Sequence, residues 1–155
     1  MKMLASKVFD ERSLPLGEDY GDYNLSVPGV SDSIGIFISE ATIGDDNSII
    51  KAAAFLDKIE KWNNDCRKIF LETENAIVKD YFEFYLEEVP HVFETENPSQ
   101  ISTQEMINKL KLNGVASHGR GAEQSFNVDF TLGYDQLLVM NFDADFSTQD
   151  ITWES

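Results

Sequence analysis

Cysteine and histidine are nearly absent from this 155-residue chain, which holds one Cys, Cys66, and two His, His91 and His118. A lone cysteine makes no internal disulfide, and one Cys with two His leaves no zinc ligand set. Basic residues are also scarce. Twelve Lys and Arg stand against 28 Asp and Glu, a net charge of −16 with His neutral. Such an excess repels phosphate backbones at every distance beyond contact, which argues against nucleic acid as a partner. It disfavours an anionic membrane surface for the same reason. Long apolar runs are missing too. The opening MKMLASKVFDERS lacks the apolar stretch of a signal peptide, and no later segment approaches a bilayer span. The expectation is a cytoplasmic protein without a membrane segment.

What is present suits one globular core. Hydrophobic residues make up 42% and aromatic residues 12% of the chain, enough for a single domain over 1–155. The stretch KVFDERSLPLGEDYGD mixes Pro, Gly and acids without period, so residues 1–19 are expected as a flexible arm or loop. Tyr23, Leu25 and Val27 then alternate with polar neighbours, and Ile34, Ile36 and Ile38 share one face beyond Pro28-Gly29, predicting two strands. A helix is predicted after Asp46 or Asn47, either of which can cap it by accepting the free N–H groups of the first turn, with Ile49, Leu56, Ile59, Cys66 and Phe70 on one side and Asn63-Asn64 as a candidate interruption. A second spans about Asn75 to Val89 and stops before Pro90. A third follows Ser102 or Thr103, with Glu105 placed to reach back to the cap. From Gly114 the period becomes two: Phe126, Val128, Phe130 and Leu132, then, after the GYDQ turn, Leu138, Met140 and Phe142, then Ile151 and Trp153. Strands, helices, strands predicts an α+β fold, an antiparallel sheet with two to three helices packed on one face.

The tail NVDFTLGYDQLLVMNFDADFSTQDITWES resembles the closing hairpins of a bacterial domain-of-unknown-function family, the one numbered two-thousand-four. The segments AAAFLDKIEKWNNDCRKIF, VKDYFEFYLEEV and STQEMINKLKLNGV are similar to that family's helices, so the resemblance spans about Tyr20 to Ser155. It implies the same α+β fold and brings no assigned chemistry with it.

Motifs for catalysis or cofactors are weak. Asp143, Asp145, Ser147 and Glu154 fall at calcium-loop positions one, three, five and twelve, but Thr148 stands where that loop needs Gly and the flanks read as strands. His91 and His118 have no G-x-S-x-G nucleophile beside them, and SHGRG reads as a turn. Cys66 belongs to an apolar stripe. GRGAEQ lacks the third glycine of a dinucleotide fingerprint. The stripe Lys51, Lys58, Lys61 and Lys68 is interrupted by Asp57, Glu60 and Asp65, so a solvated, ion-paired face is expected. No catalytic residue, metal or cofactor is predicted.

The distinctive stretch is YFEFYLEEVPHVFETEN, Tyr81 to Asn97. On a helix, Val78, Tyr81, Phe82, Tyr85, Leu86 and Val89 form a core stripe, while Asp80, Glu83 and Glu87 stack on the opposite side. Phe84 lies among these carboxylates, an apolar ring in a charged rim. The opposing reading is that Phe84 is covered by the next loop or another chain. Asp80, Glu83, Phe84 and Glu87, followed by Glu94 and Glu96, are the predicted partner-binding residues. The sequence expectation is a non-enzymatic acidic binding protein, most concretely a bacterial immunity protein that occludes the active cleft of a basic toxin. The alternatives are a structural or adaptor module and, behind it, a metal-dependent enzyme using the Asp143 tail.

Overall fold

The computed structural model describes residues 2–5, 13–16, 21–27 and 29–155. Four strands come first: β1 (Lys2–Ala5), β2 (Ser13–Leu16), β3 (Gly21–Val27) and β4 (Ser31–Ile38). Five helices follow, α1 (Glu40–Ile43), α2 (Asp46–Asp57), α3 (Ile59–Glu72), α4 (Ala76–Glu88) and α5 (Thr103–Lys109), and four strands close the chain, β5 (Lys111–His118), β6 (Ser125–Thr131), β7 (Leu137–Phe142) and β8 (Thr148–Glu154). β3 to β8 make a six-stranded sheet in sequential order, while β1 and β2 pair separately. The α+β class holds. Every neighbour pair in the large sheet is antiparallel except β4 with β5, which run parallel. Parallel neighbours cannot be joined by a tight turn, and all five helices lie in the connection between them.

Period-two alternation places the core. Ile36, Val115, Val128, Met140 and Ile151 are successive cross-strand partners, and Leu112, Phe130, Leu138 and Trp153 form the next row. β5 has no simple alternation, because its register shifts between Leu112 and Gly114. The extra residue of this bulge brings Leu112 and Val115, three apart, to the same side, both buried. Gly114 has no room for a side chain: a Cβ there would sit 2.9 Å from a carboxylate oxygen of Asp129.

Local signals set the helix ends. Asp45, and not Asp46 or Asn47, caps α2, by accepting from the Ser48 amide at 3.0 Å and the Ser48 hydroxyl at 2.6 Å, bonds that hold its carboxyl below the ordinary range. Asn75 caps α4 through the Ile77 amide, and Ser102 with Glu105 forms a full capping box on α5. Three further sequence expectations need correction. The first long helix breaks at Lys58 (φ −99°, ψ 19°), not at Asn63-Asn64, which lie inside α3. The Trp62 indole N–H reaches back 2.8 Å to the Phe55 carbonyl, satisfying an acceptor at the α2 C-terminus. With α1 and this break the helices number five rather than two to three. Finally, residues 1–19 include β1 and β2, with Leu4 and Leu16 buried in the core, because α2 and β1 pack together; the rest of that segment lies outside the described residues.

Phe55 is the packing hub. It is fully buried and meets Trp62 at 5.0 Å, Phe126 at 4.4 Å, Phe142 at 5.1 Å and Phe146 at 5.2 Å between ring centroids. Phe70 packs edge-on to Phe130, and Tyr81 to Trp153, so α2, α3 and α4 each contribute aromatic rings to the sheet face that carries these side chains. Phe55→Ala would remove the shared partner of four rings and is expected to cost about 3–5 kcal/mol of unfolding free energy, read as a lower denaturant midpoint with far-UV circular dichroism retained.

Candidate functional site

α4 displays its predicted faces. Val78, Tyr81, Phe82 and Tyr85 are buried, Leu86 and Val89 partly so, and Asp80, Glu83 and Glu87 are exposed along the other side. Spacings of three and four bring the three carboxylates together on one helix surface. Phe84 is half-buried. Its ring lies 5.2 Å from Tyr85 and 5.4 Å from Trp153 of β8, at the margin of the core. Glu94 and Glu96 are exposed in the segment after a 3₁₀ turn over Pro90–Phe93, and Glu94 pairs with Lys109 at 3.6 Å. The predicted acids therefore share an exposed surface character, while Phe84 is engaged in the α4–β8 contact.

Behind α4 lies a feature with little sequence signal. The β6–β7 connection passes through Gly133, Tyr134 and Asp135, all with positive φ (110°, 60° and 57°). Two consecutive non-glycine residues in this region are unusual, and each costs about 1–2 kcal/mol. Hairpin turns of this kind favour Asn-Gly rather than Tyr-Asp. The buried face of α4 supplies the compensation. The Tyr81 hydroxyl donates to the Gln136 carbonyl at 2.8 Å and accepts from the Leu132 amide at 3.2 Å; the Tyr85 hydroxyl donates to the Gly133 carbonyl. Thr131 accepts from the Gly133 amide and donates to the Gln136 carbonyl, both at 2.8 Å. Trp153 donates its indole N–H to the Gln136 side chain at 2.8 Å. These bonds over-determine the turn, and it holds Tyr134 outward at 60% exposure. The Tyr134 hydroxyl and His91 Nε2 share a hydrogen bond of 2.7 Å, with the rings edge to face. Residues read separately in the sequence as core aromatics, an isolated imidazole and a GYDQ turn form one assembly. The available signal was tyrosine at a turn position suited to Asn or Gly.

The opposite sheet face carries a buried acid. Gly35, Gly114, Asp129, Val139 and Thr152 are cross-strand neighbours, and Asp129 is 9% exposed. The Asn113 amide donates to it at 2.6 Å. Burial pushes the Asp129 carboxyl up, against the lowering effect of Asn113, and the charge of Glu154 adds to the rise. In the sequence Asp129 looks like the solvent-side partner of Val128 and Phe130; nothing local marks it as buried.

The remaining motifs are structural in their contacts. Asp143 accepts from the Asp145 and Ser147 amides and the Gln149 side chain, closing the β7–β8 turn, whereas Glu154 lies at the far end of β8 opposite Leu137. No group of three or more His, Cys, Asp or Glu among the described residues is placed to hold a metal. Cys66 is fully buried, and desolvation pushes its thiol up to about 12, so it is protonated at neutral pH. His118 is exposed, 3.1 Å from the Asn127 side-chain oxygen and beside the Phe37 ring. In the lysine stripe, Lys61 pairs with Asp65 and lies over Trp62, and Lys58 lies over Phe146. No family model, curated protein or solved structure matches this chain.

A raised carboxyl binds its proton more tightly in the folded than in the unfolded chain. Its favourable contribution is present below the ordinary carboxylate range and is lost as pH rises through its elevated value. Asp129→Asn, which resembles the protonated form, is expected to melt a few degrees above wild type at pH 7. Melting curves recorded at falling pH should show that gap closing as wild-type Asp129 takes up its proton.

Proposed function

We propose that this chain is an acidic, non-enzymatic binding protein for a cationic protein partner, most concretely a cytoplasmic bacterial immunity protein that occludes the active cleft of a basic toxin. The supporting observation is an exposed acidic face on α4 that enters none of the ion pairs among the described residues. Against a net charge of −16, three ion pairs occur among the described residues: Lys2–Asp46, Lys61–Asp65 and Lys109–Glu94. Asp80, Glu83 and Glu87 take part in none of them, although they stand exposed on a helix whose buried side is tied to the sheet.

Like charges at three- and four-residue spacing destabilise a helix by a few tenths of a kcal/mol per pair. A cationic surface relieves that repulsion and is drawn in by the wider field, with association rates on the order of 10⁸ M⁻¹s⁻¹ at low salt. Rigid anchoring through Tyr81 and Tyr85 limits the ordering that binding would otherwise require. No helix among the described residues is long and apolar enough to cross a membrane, in keeping with a partner met in solution. The family resemblance expected from the sequence, which no family model matches, would assign no chemistry and leaves this reading to rest on charge and surface.

An adaptor joined through a sheet edge is the second reading, supported by the terminal position of β8 in the strand order. Salt separates the two. Capture from the native cell, followed by stopped-flow binding, should recover a basic toxin domain whose on-rate falls steeply with ionic strength. Glu83→Lys with Glu87→Lys should slow that association about tenfold or more at low salt while the melting temperature changes little. A salt-insensitive on-rate, unchanged by the double reversal, would favour the adaptor.

A further inference from the structure

We propose that Tyr134 is the aromatic anchor of the partner surface, its ring receiving an arginine or lysine side chain of the cationic protein. This deepens, and rests on, the reading of an acidic binding protein. Three independent observations converge on the residue. Tyr134 is the most exposed aromatic side chain among the described residues, at 60%. It occupies a left-handed backbone position followed by a second one at Asp135, where Asn or Gly would sit without strain. That conformation is imposed from behind by buried groups, the hydroxyls of Tyr81 and Tyr85 and the Thr131 side chain, with the indole of Trp153 fixing Gln136. Backbone strain held by its surroundings recurs at sites of recognition and catalysis. Here its visible product is an outward-facing phenol.

The orientation of the ring is also restrained. Its hydroxyl bonds to His91 on the 3₁₀ turn after α4, which ties the tip of the β6–β7 hairpin to the helix bearing the acids. A tyrosine with few free torsions, fixed at its far end, loses little freedom when a partner closes on it. Large aromatics with a polar tip are also the side chains that most often dominate binding energy.

Charge selects the partner. Asp135 is the next residue, Glu88 stands exposed three residues before His91, and the chain as a whole carries a net charge of −16. An apolar partner would have to dehydrate these carboxylates without offering them counter-charges, and an anionic one would be repelled. A guanidinium or ammonium group is attracted both to the electron-rich ring face and to the acidic surplus of the chain. Phe84, half-covered by Tyr85 and Trp153, has much less free ring to offer.

The test uses the full chain, isotopically labelled, titrated with a polyarginine peptide at low salt and followed by amide chemical shifts. The largest changes are expected at Tyr134, Asp135 and His91. Tyr134→Asn should weaken binding by roughly threefold to thirtyfold, the range of a lost cation–ring contact. The same substitution should raise the melting temperature, since Asn is at ease in the left-handed region. Tyr134→Phe, which keeps the ring and loses the His91 bond, should retain most of the affinity. Peptide binding that Tyr134→Asn leaves unchanged, with shifts confined to Asp80, Glu83 and Glu87, would overturn the anchor while leaving the acidic binding protein intact. A wild-type protein that binds no peptide at all would overturn the cationic-partner reading itself.

Discussion

The parallel pairing of β4 with β5 is the constraint on which the rest of the molecule depends. Four residue pairs carry it, from Gly35 with Gly114 to Ile38 with Ser117. Two strands that run the same way cannot be joined by a hairpin, so the chain must leave β4, travel the length of the sheet and re-enter at β5. All five helices occupy that journey. The joint is tight where the two glycines meet, because the Asp129 carboxylate fills the space a Gly114 side chain would need. Antiparallel strands then follow one another in sequence to β8, and α4 comes to rest against the end of the sheet that holds β8 and the β6–β7 turn.

From that placement follows a division of labour within one helix. Its inner tyrosines act twice, filling the core with rings and bonding the turn with their hydroxyls. A phenol is suited to both tasks, having a large apolar body and one polar tip. Tyr81 shows the consequence: burial pushes its hydroxyl far above the usual phenol range, so it stays a neutral donor and acceptor at any physiological pH. The outer carboxylates do the opposite. They remain hydrated, repel one another weakly and leave the surface with charge that no ion pair among the described residues neutralises. Interior hydrogen bonding and exterior charge thus meet at a single secondary-structure element, and the exposed ring of Tyr134 stands where they adjoin.

Much of this was legible in the chain. The helix start near Asn75 and its stop before Pro90, the cap at Ser102 and the alternation of Phe126, Val128 and Phe130 are local rules, and local rules survive folding. Others were hidden because their cause lies far away. At the helix break at Lys58 the Trp62 indole bonds back to the Phe55 carbonyl and its ring packs against Phe142 and Phe146, residues remote in sequence. The β5 bulge defeats a period-two reading by inserting Asn113 between Leu112 and Gly114. Among the proposed site residues, Asp80, Glu83 and Glu87 were legible as an exposed acidic row from helical spacing. The covering of Phe84 by Trp153 was not, since the two are brought together only by the sheet.

By itself, then, the order of residues determined the class of fold, the capping box of α5, the two faces of α4 and a surplus of negative charge, because each follows from local pattern or from a sum over side chains. Only the tertiary structure decided which aromatic ring would be left outside. Phe84 and Tyr134 each stand next to an acid in the sequence, Glu83 and Asp135. The difference is that β8 reaches one of them, whereas the hydroxyls of Tyr81 and Tyr85 hold the turn that carries the other away from the core.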